Sequence, residues 1–361
     1  MATALMFLAG LTLLIVGAEA FVRGASALAR ALGIAPLVIG LTVVAFGTSA
    51  PELAISLYAG WRGNAEIALG NVVGSNIFNV LFILGVSSLV APLVVAGRLV
   101  RLDVPLVILA SVLTLVLGID GEIGRLDGLG LFAGIVAYTT WLIRQGRSAV
   151  REQSALAGEG DDLGLGRGWL AVDLTIIAAG LGLLVVGSRL LVSASVAIAT
   201  GLGVSERIVG LTIVAAGTSL PEVATSVVAS LRGERDIAVG NVVGSNLFNL
   251  LCVLGLTAAV SGGVAVRPDA MRFDLPLMIA SAVACMPIFF SGHRISRWEG
   301  LLFLGYYFAY TADIVLVATG NAALGTFRVV MAAFVTPLTV VTLAVVTARE
   351  VRARRPSRSS R

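Results

Sequence analysis

The 361-residue sequence has no lysine, one histidine and two cysteines, and only 13% of its residues are charged. Each shortage removes a class of protein. Two cysteines cannot build a disulfide scaffold, and one histidine with two cysteines cannot supply a zinc cluster or an iron–sulfur centre. Soluble domains carry about a quarter charged residues, so an ordinary cytosolic globule is excluded. Disorder requires few apolar residues and a high net charge, and this chain has neither. It is 58% hydrophobic, with a mean hydropathy of +0.99. That composition describes an integral membrane protein. A helix crosses a bilayer with about 20 apolar residues, so the length accommodates roughly ten or more crossings. All 25 basic residues are arginine, which reads as codon bias in a GC-rich genome. The net charge of +4 gives no reason to expect a nucleic-acid partner.

Apolar runs separated by short polar breaks predict eleven segments, near 3–31, 36–60, 66–90, 103–119, 125–144, 169–201, 206–231, 236–260, 273–291, 296–318 and 322–347. The first lacks the basic start and the cleavage site of a signal peptide. The one sizeable break, 145–168, is rich in glycine and charge and reads as a flexible linker. Its Asp161 and Asp162 lack the spacing of a calcium-binding loop. Either side of it lies one copy of the same unit. LTVVAFGTSAPELA at 41–54 matches LTIVAAGTSLPEVA at 211–224, and GNVVGSNIFNVLFILG at 70–85 matches GNVVGSNLFNLLCVLG at 240–255, both at an offset of 170. Weaker matches extend the repeat over segments one to five and six to ten. The expected organisation is a first repeat over 1–144, a linker over 145–168, a second repeat over 169–318, an extra helix over 319–347 and a basic tail over 348–361.

Five is odd, so the second copy enters the membrane from the other side. The fold class expected is therefore an all-α membrane protein of two inverted five-helix repeats plus one extra C-terminal helix, an architecture used by secondary transporters with a site between the repeats at the midplane. With the N-terminus outside, seventeen arginines fall inside and six outside, counting the six of the tail (Arg349, Arg352, Arg354, Arg355, Arg358 and Arg361). The positive-inside rule then places the N-terminus outside and the C-terminus in the cytoplasm.

The chemistry concentrates in two places per repeat. Gly47-Thr48-Ser49-Ala50-Pro51-Glu52 and Gly217-Thr218-Ser219-Leu220-Pro221-Glu222 interrupt apolar helices. Proline removes a backbone donor and glycine weakens the helix, so a break is expected there, with carbonyls such as those of Ala45 and Ala215 freed. Irregular backbone at membrane depth survives only when buried in protein or lining a polar cavity. Glu52 and Glu222 lie about halfway along their segments, where a charge costs roughly 3 kcal/mol or more. A capping box, Ser49-x-x-Glu52 and Ser219-x-x-Glu222, is the bland alternative, although a neutral glutamine would cap at lower insertion cost. One segment on, Asn71, Ser75 and Asn79 form a polar stripe at spacing i, i+4, i+8, repeated by Asn241, Ser245 and Asn249. Gly70-x-x-x-Gly74 and Gly240-x-x-x-Gly244 read as helix-packing motifs. Together the copies offer two carboxylates, hydroxyls, carboxamides and carbonyls, with no nitrogen or sulfur ligand. An all-oxygen set suits a hard cation. Ca2+ takes six to eight oxygens in a flexible shell, whereas Mg2+ holds its water. Two glutamates balance one Ca2+, and after its release they need replacement charge from Na+ or H+.

The paired GTSxPE and GNVVGSNxFN motifs resemble the alpha-repeats of the sodium/calcium exchanger family within the cation/Ca2+ antiporter superfamily, over about residues 5–318. The resemblance implies Ca2+/Na+ antiport by alternating access in the plasma (inner) membrane, without a resident cofactor, with segments one and six as a sliding pair. It also implies roles by motif position. Glu52 and Glu222 would be central Ca2+ ligands. Thr48, Ser49, Thr218 and Ser219, with the Ala45 and Ala215 carbonyls, would serve Ca2+ and Na+. Ser75 and Ser245 would bind Na+, and Asn79 and Asn249 would flank the centre. Some relatives carry Asp in place of Asn79 or Asn249. The neutral residues here disfavour proton or potassium coupling.

Ca2+/H+ or K+-coupled exchange remains the alternative within the class, and a carboxylate-lined cation channel the alternative outside it. A serine hydrolase using Ser49 or Ser219 lacks a base in the membrane. Glu19, Asp173 and Asp313 are not duplicated and read as partners in charge pairs. His293 is expected in a solvated loop, and Cys252 and Cys285 as apolar fillers. A monomer is the expected assembly, with lipid, Ca2+ and Na+ as its surroundings and cargo.

Overall fold

A computed structural model describes residues 2–157, 167–290 and 292–353. Among these, nine helices are long and apolar enough to cross a membrane. They are α1 (Ala2–Leu32), α3 (Ile67–Val90), α4 (Leu99–Leu117), α5 (Arg125–Ala157), α6 (Arg167–Gly201), α8 (Arg235–Ser261), α9 (Ala270–Phe290), α10 (Arg297–Thr319) and α11 (Leu324–Ala353). A tenth span, α2, is a bent pair, Pro36–Thr48 and Ala50–Trp61, that turns by 44° at Ser49. The remaining apolar segment, α7, is broken in the corresponding place, with a first half over 206–217 and a second half, Leu220–Leu231. The breaks sit where the Gly-Thr-Ser-x-Pro sequences predict them, and Pro51 and Pro221 each occupy the first turn of the helix that follows, where a missing N–H costs nothing.

One expectation is corrected. The connection expected to be flexible is helical at both ends, because α5 continues to Ala157, past its apolar part, and α6 already begins at Arg167. The residues between them, with Asp161 and Asp162, lie outside the described residues, as does the end of the basic tail, 354–361.

Two short antiparallel ribbons bear on the inversion. Strand β1 (Leu93–Val94) follows α3, β2 (Glu122–Gly124) precedes α5, β3 (Gly263–Ala265) follows α8 and β4 (Arg294–Ile295) precedes α10. In the repeat, β1 corresponds to β3 and β2 to β4. The observed pairs are instead β1 with β4 and β2 with β3. The loop after the third helix of one repeat therefore shares a membrane face with the loop before the fifth helix of the other. That happens only when the repeats have opposite topology.

The most buried spans are α3 and α8, which run through the centre. The long α1 and α6 pack against each other on glycines. Gly10 and Gly17 of α1 meet the backbone around Gly187 and Gly180 of α6, and a Cβ added at Gly17 would lie 2.8 Å from the Leu184 nitrogen. Small residues let backbones approach where no hydrophobic force drives helices together in lipid. Wide π-type turns occur at matching places in the two repeats: Gly40–Val44 with Gly210–Val214, Asn79–Ile83 with Phe248–Val253, and Leu99–Asp103 with Ala270–Asp274. Such turns are frequent at functional sites.

The lone charges find partners as expected for two of the three. Glu19 pairs with Arg23 and Arg232, and Asp313 accepts two bonds from Arg328 of α11 at 2.7 and 2.8 Å. Asp173 lines a small polar cavity with Arg23, Arg30 and Arg232. Cys252 and Cys285 are buried free thiols. His293 is half-buried, and it is the one non-glycine residue at positive φ among the described residues.

Candidate ion-binding site

The breaks in α2 and α7 deliver Glu52 and Glu222 to the same place. Both are fully buried. Each carboxylate is held by a serine of the opposite repeat. Ser219 Oγ donates to Glu52 Oε1 at 2.9 Å, and Ser49 Oγ donates to Glu222 Oε1 at 3.3 Å. The capping-box alternative is thereby overturned. Ser49 and Ser219 stand at the helix N-termini, yet neither caps its own helix; their hydroxyls cross the pseudo-twofold axis instead. Ser75 Oγ lies 3.2 Å from Ser219 Oγ, so α3 joins the same network. Ser245 Oγ approaches Thr48 Oγ1 at 3.5 Å.

Asn71 and Asn241 brace the helices that carry the glutamates. Asn71 Nδ2 donates to the Glu52 carbonyl and to Ser56 Oγ, and Asn241 Nδ2 donates to the Glu222 carbonyl and to Ser226 Oγ. The predicted stripe thus splits, with its first residue supporting backbone and the second and third facing the network. The Ala45 carbonyl is not released by Pro51, since it accepts the Ser49 N–H at 3.0 Å and is approached by Thr48 Oγ1 at 3.4 Å. Gly217, four residues before Pro221, gives its carbonyl to Ser188 Oγ of α6 at 2.7 Å.

What the network leaves unpaired defines its chemistry. Among the described residues, Glu52 Oε2, Glu222 Oε2, Asn79 Oδ1, Asn249 Oδ1 and Thr218 Oγ1 are buried without a hydrogen-bond partner. All five are oxygens. Neither glutamate has a basic partner among the described residues. Unpaired buried acceptors are rare in native proteins, and an uncompensated buried carboxylate costs several kcal/mol. A hard cation satisfies both needs, and the donor set fits Ca2+ or Na+.

The stripe reading missed Asn76 and Asn246. They lie one residue off the stripe, yet both are buried and bonded to the very carboxamides it selected. Their signal was present in the sequence as the third residue of each duplicated GSN.

One face leads to this site. A cavity of about 540 Å³ runs between α3, the first half of α7, α9 and α10, and is lined by Gly70, Gly74, Ser75, Ala215, Thr218 and Asp274, among others. It adjoins a wider charged cavity that includes Arg267, Asp269, Asp313 and Arg328. At the related position in the other repeat, a shallow apolar groove lined by Thr42, Phe46, Phe132 and Phe248 touches none of the twelve predicted site residues.

A family model described as "Sodium/calcium exchanger protein" matches residues 2–144 and 172–316, one block per repeat. The chain belongs to the sodium/calcium exchanger family. It is a transporter and not an enzyme. Among its relatives in the family, the "Putative antiporter CaxA" of Alkalimonas amylolytica is 38% identical over 84% of this chain and 95% of its own. The "Inner membrane protein YrbG" of Escherichia coli is 36% identical over 86% and 96%. The "Sodium/calcium exchanger MaX1" of Methanosarcina acetivorans is 33% identical over 85% and 96%. The structure of the sodium-calcium exchanger NCX_Mj soaked without Na+ and Ca2+ superposes with a TM-score of 0.74 at 30% identity, covering 86% of this chain and 98% of that one. The exchanger fold accounts for the ten helices of the repeats, and α11 lies beyond the matched blocks.

Proposed function

We propose that the chain exchanges Ca2+ for Na+ across the membrane by alternating access, at one site built from both repeats. The observation that carries this reading is the set of buried, unpartnered oxygens on Glu52, Glu222, Asn79, Asn249 and Thr218, from both repeats, with no basic residue among the described residues pairing with the two carboxylates. Ca2+ neutralises the pair, and Na+ ions take over the charge as it leaves. Thr48, Ser49, Ser75, Ser219 and Ser245 complete the coordination with the carbonyls of Ala45 and Ala215. Carboxamides at 79 and 249 offer oxygen without a titratable proton, which supports Na+ over H+ as the counter-ion. The arginine distribution puts the loops before α3 and α9 outside, so the open cavity faces out.

The test is 45Ca2+ uptake into vesicles carrying the purified protein, with Na+, H+ and K+ gradients imposed one at a time. An outward Na+ gradient alone drives accumulation against a Ca2+ gradient. Accumulation driven by H+ and indifferent to Na+ makes the protein a Ca2+/H+ exchanger. Flux that only ever runs down the Ca2+ gradient makes it a channel.

A further inference from the structure

Four asparagines tie α3 to α8 beside the carboxylates. Asn79 Nδ2 donates to Asn246 Oδ1 at 3.0 Å, and Asn249 Nδ2 donates to Asn76 Oδ1 at 3.2 Å. Asn76 Nδ2 in turn faces the backbone carbonyl of Asn246 at 3.4 Å and the Met278 sulfur at 3.7 Å. All four side chains are buried. Each of Asn79 and Asn249 spends its nitrogen on the outer partner, and its oxygen is left unpaired.

A carboxamide can turn over and exchange its two ends at no change in shape. At Asn249 the chain of bonds forbids it. A backbone carbonyl only accepts, so the Asn246 carbonyl requires the nitrogen of Asn76 on its side. That turns Asn76 Oδ1 toward Asn249. An oxygen there only accepts, so Asn249 must offer its nitrogen, and its own oxygen is directed away. Turning Asn249 over would set two oxygens against each other and aim an N–H pair into a place for a cation.

We infer that Asn76 and Asn246 are positioning residues that fix the carboxamides of Asn249 and Asn79 with their oxygens toward the ion. They touch no ion themselves. Each acts across the pseudo-twofold axis on the ligand of the other repeat, so the ion-facing polarity of each half depends on the other half being docked. This rests on the reading of the site as a cation site, and goes beyond it by assigning the groups that decide which end of two neutral side chains the ion meets.

The experiment is a pair of double-mutant cycles on the full chain, read by equilibrium Ca2+ binding in detergent and by the KM for Ca2+ in vesicles. In the first cycle, Asn246→Ala weakens Ca2+ binding about tenfold and raises KM, with turnover at saturating Ca2+ and the thermal unfolding midpoint close to those of the unmodified protein. Asn79→Ala weakens it by a similar factor, and adding Asn246→Ala to Asn79→Ala changes it by less than about twofold, because the positioning residue has nothing left to position. Asn76→Ala with Asn249→Ala repeats the test for the other ligand, and Asn246→Ser substitutes where the alanine variant does not accumulate. Effects that multiply in the double variants, or an unchanged Ca2+ affinity in well-folded Asn246→Ala and Asn76→Ala, overturn the inference. So does loss of folded protein in all of them, which assigns the four-residue network to folding alone. Failure of the unmodified protein to bind Ca2+ at all overturns the reading of the site instead, and is seen in the same titration.

Discussion

Residues 40–48 and 210–218 differ only at positions 43/213 and 46/216, yet the structure treats the two stretches oppositely. Thr48 is fully buried and lies 3.1 Å from Asn241 Oδ1. Its mate Thr218 borders the cavity, and its hydroxyl lacks a partner among the described residues. Gly240 and Gly244 are pressed against the first half of α2, where a Cβ on Gly244 would come within 2.7 Å of the Ala45 Cβ. Their mates Gly70 and Gly74 have no described atom within 4 Å of the same point. Asp103 is buried and accepts from Tyr138 at 2.9 Å; its mate Asp274 borders the open cavity with Tyr310. Nearly equal sequences with the same wide π-type turn sit in unequal surroundings, so the local backbone does not dictate which half is packed. One half-helix is packed on its glycines and the other is free, an asymmetry that the proposed alternating access requires of a bistable element whose two states a cargo ion biases.

Four experiments break or sharpen that comparison. The largest effect falls on what the halves share. Glu52→Gln and Glu222→Gln each abolish Na+-driven 45Ca2+ uptake while leaving the purified protein folded, since each removes half the charge that answers Ca2+; normal uptake by either variant would remove the site. Next come the glycines, where the halves part. Gly244→Ala overpacks the closed face and Gly74→Ala does not, although Gly74→Ala obstructs the converse closure. Both slow exchange about tenfold, on the order of 1.4 kcal/mol in the barrier. They push labelling of a cysteine placed at Ala215, in a background lacking Cys252 and Cys285, in opposite directions: Gly244→Ala lowers it and Gly74→Ala raises it. Equal labelling would mean that the glycines do not set the state.

The third experiment tests the part without a mate. Truncation after Thr319 strips Arg328 from the buried Asp313 and removes the Tyr306–Thr339 hydrogen bond, so uptake falls by roughly half, and Asp313→Asn in the truncated chain restores folded yield because no unpaired charge remains. Complete loss of uptake in correctly inserted truncated protein would place α11 within the mechanism. The smallest effect separates Tyr138 from Tyr310. Tyr138→Phe lowers the thermal midpoint by a few degrees, about 2 kcal/mol for a hydrogen bond to a buried carboxylate. Tyr310→Phe changes it by less than about 0.5 kcal/mol, as expected of a site without a lost bond. Equal shifts would show that the two aspartates are held alike.

The helices and the site differ in how far the sequence reveals them. Apolar runs are read from composition, and nine of the eleven segments match the helices and broken helices to within a few residues, while α5 and α11 run on past the ends of their apolar stretches. The charged stretch 145–157 was misjudged because helix α5 continues past its apolar part, and polarity marks the end of an apolar run, not of a helix. Duplication singled out Glu52 and Glu222, and the structure brings them into one network through Ser219 and Ser49. The role of those serines was not legible, since S-x-x-E describes a local cap and a cross-repeat bond equally well. Asn76 and Asn246 escaped because a single helical stripe was followed, whereas α3 and α8 are the most buried spans and use more than one face. The asymmetry of the faces was not legible, because residues 40–48 and 210–218 are nearly identical and their one large difference, Phe46 against Ala216, does not by itself say which copy is packed.

The glycine seam of α1 and α6 has one more consequence. Gly10 lies against Gly187, the repeat mate of Gly17, and Gly17 lies against Gly180, the repeat mate of Gly10. These two contacts are therefore one contact made twice with roles exchanged, as in an isologous dimer. A single half of this protein already displays both sides of the joint: alanine at Gly10 crowds the contact with Gly187 alone, alanine at its mate Gly180 crowds the contact with Gly17, and only a change at both burdens the two contacts alike.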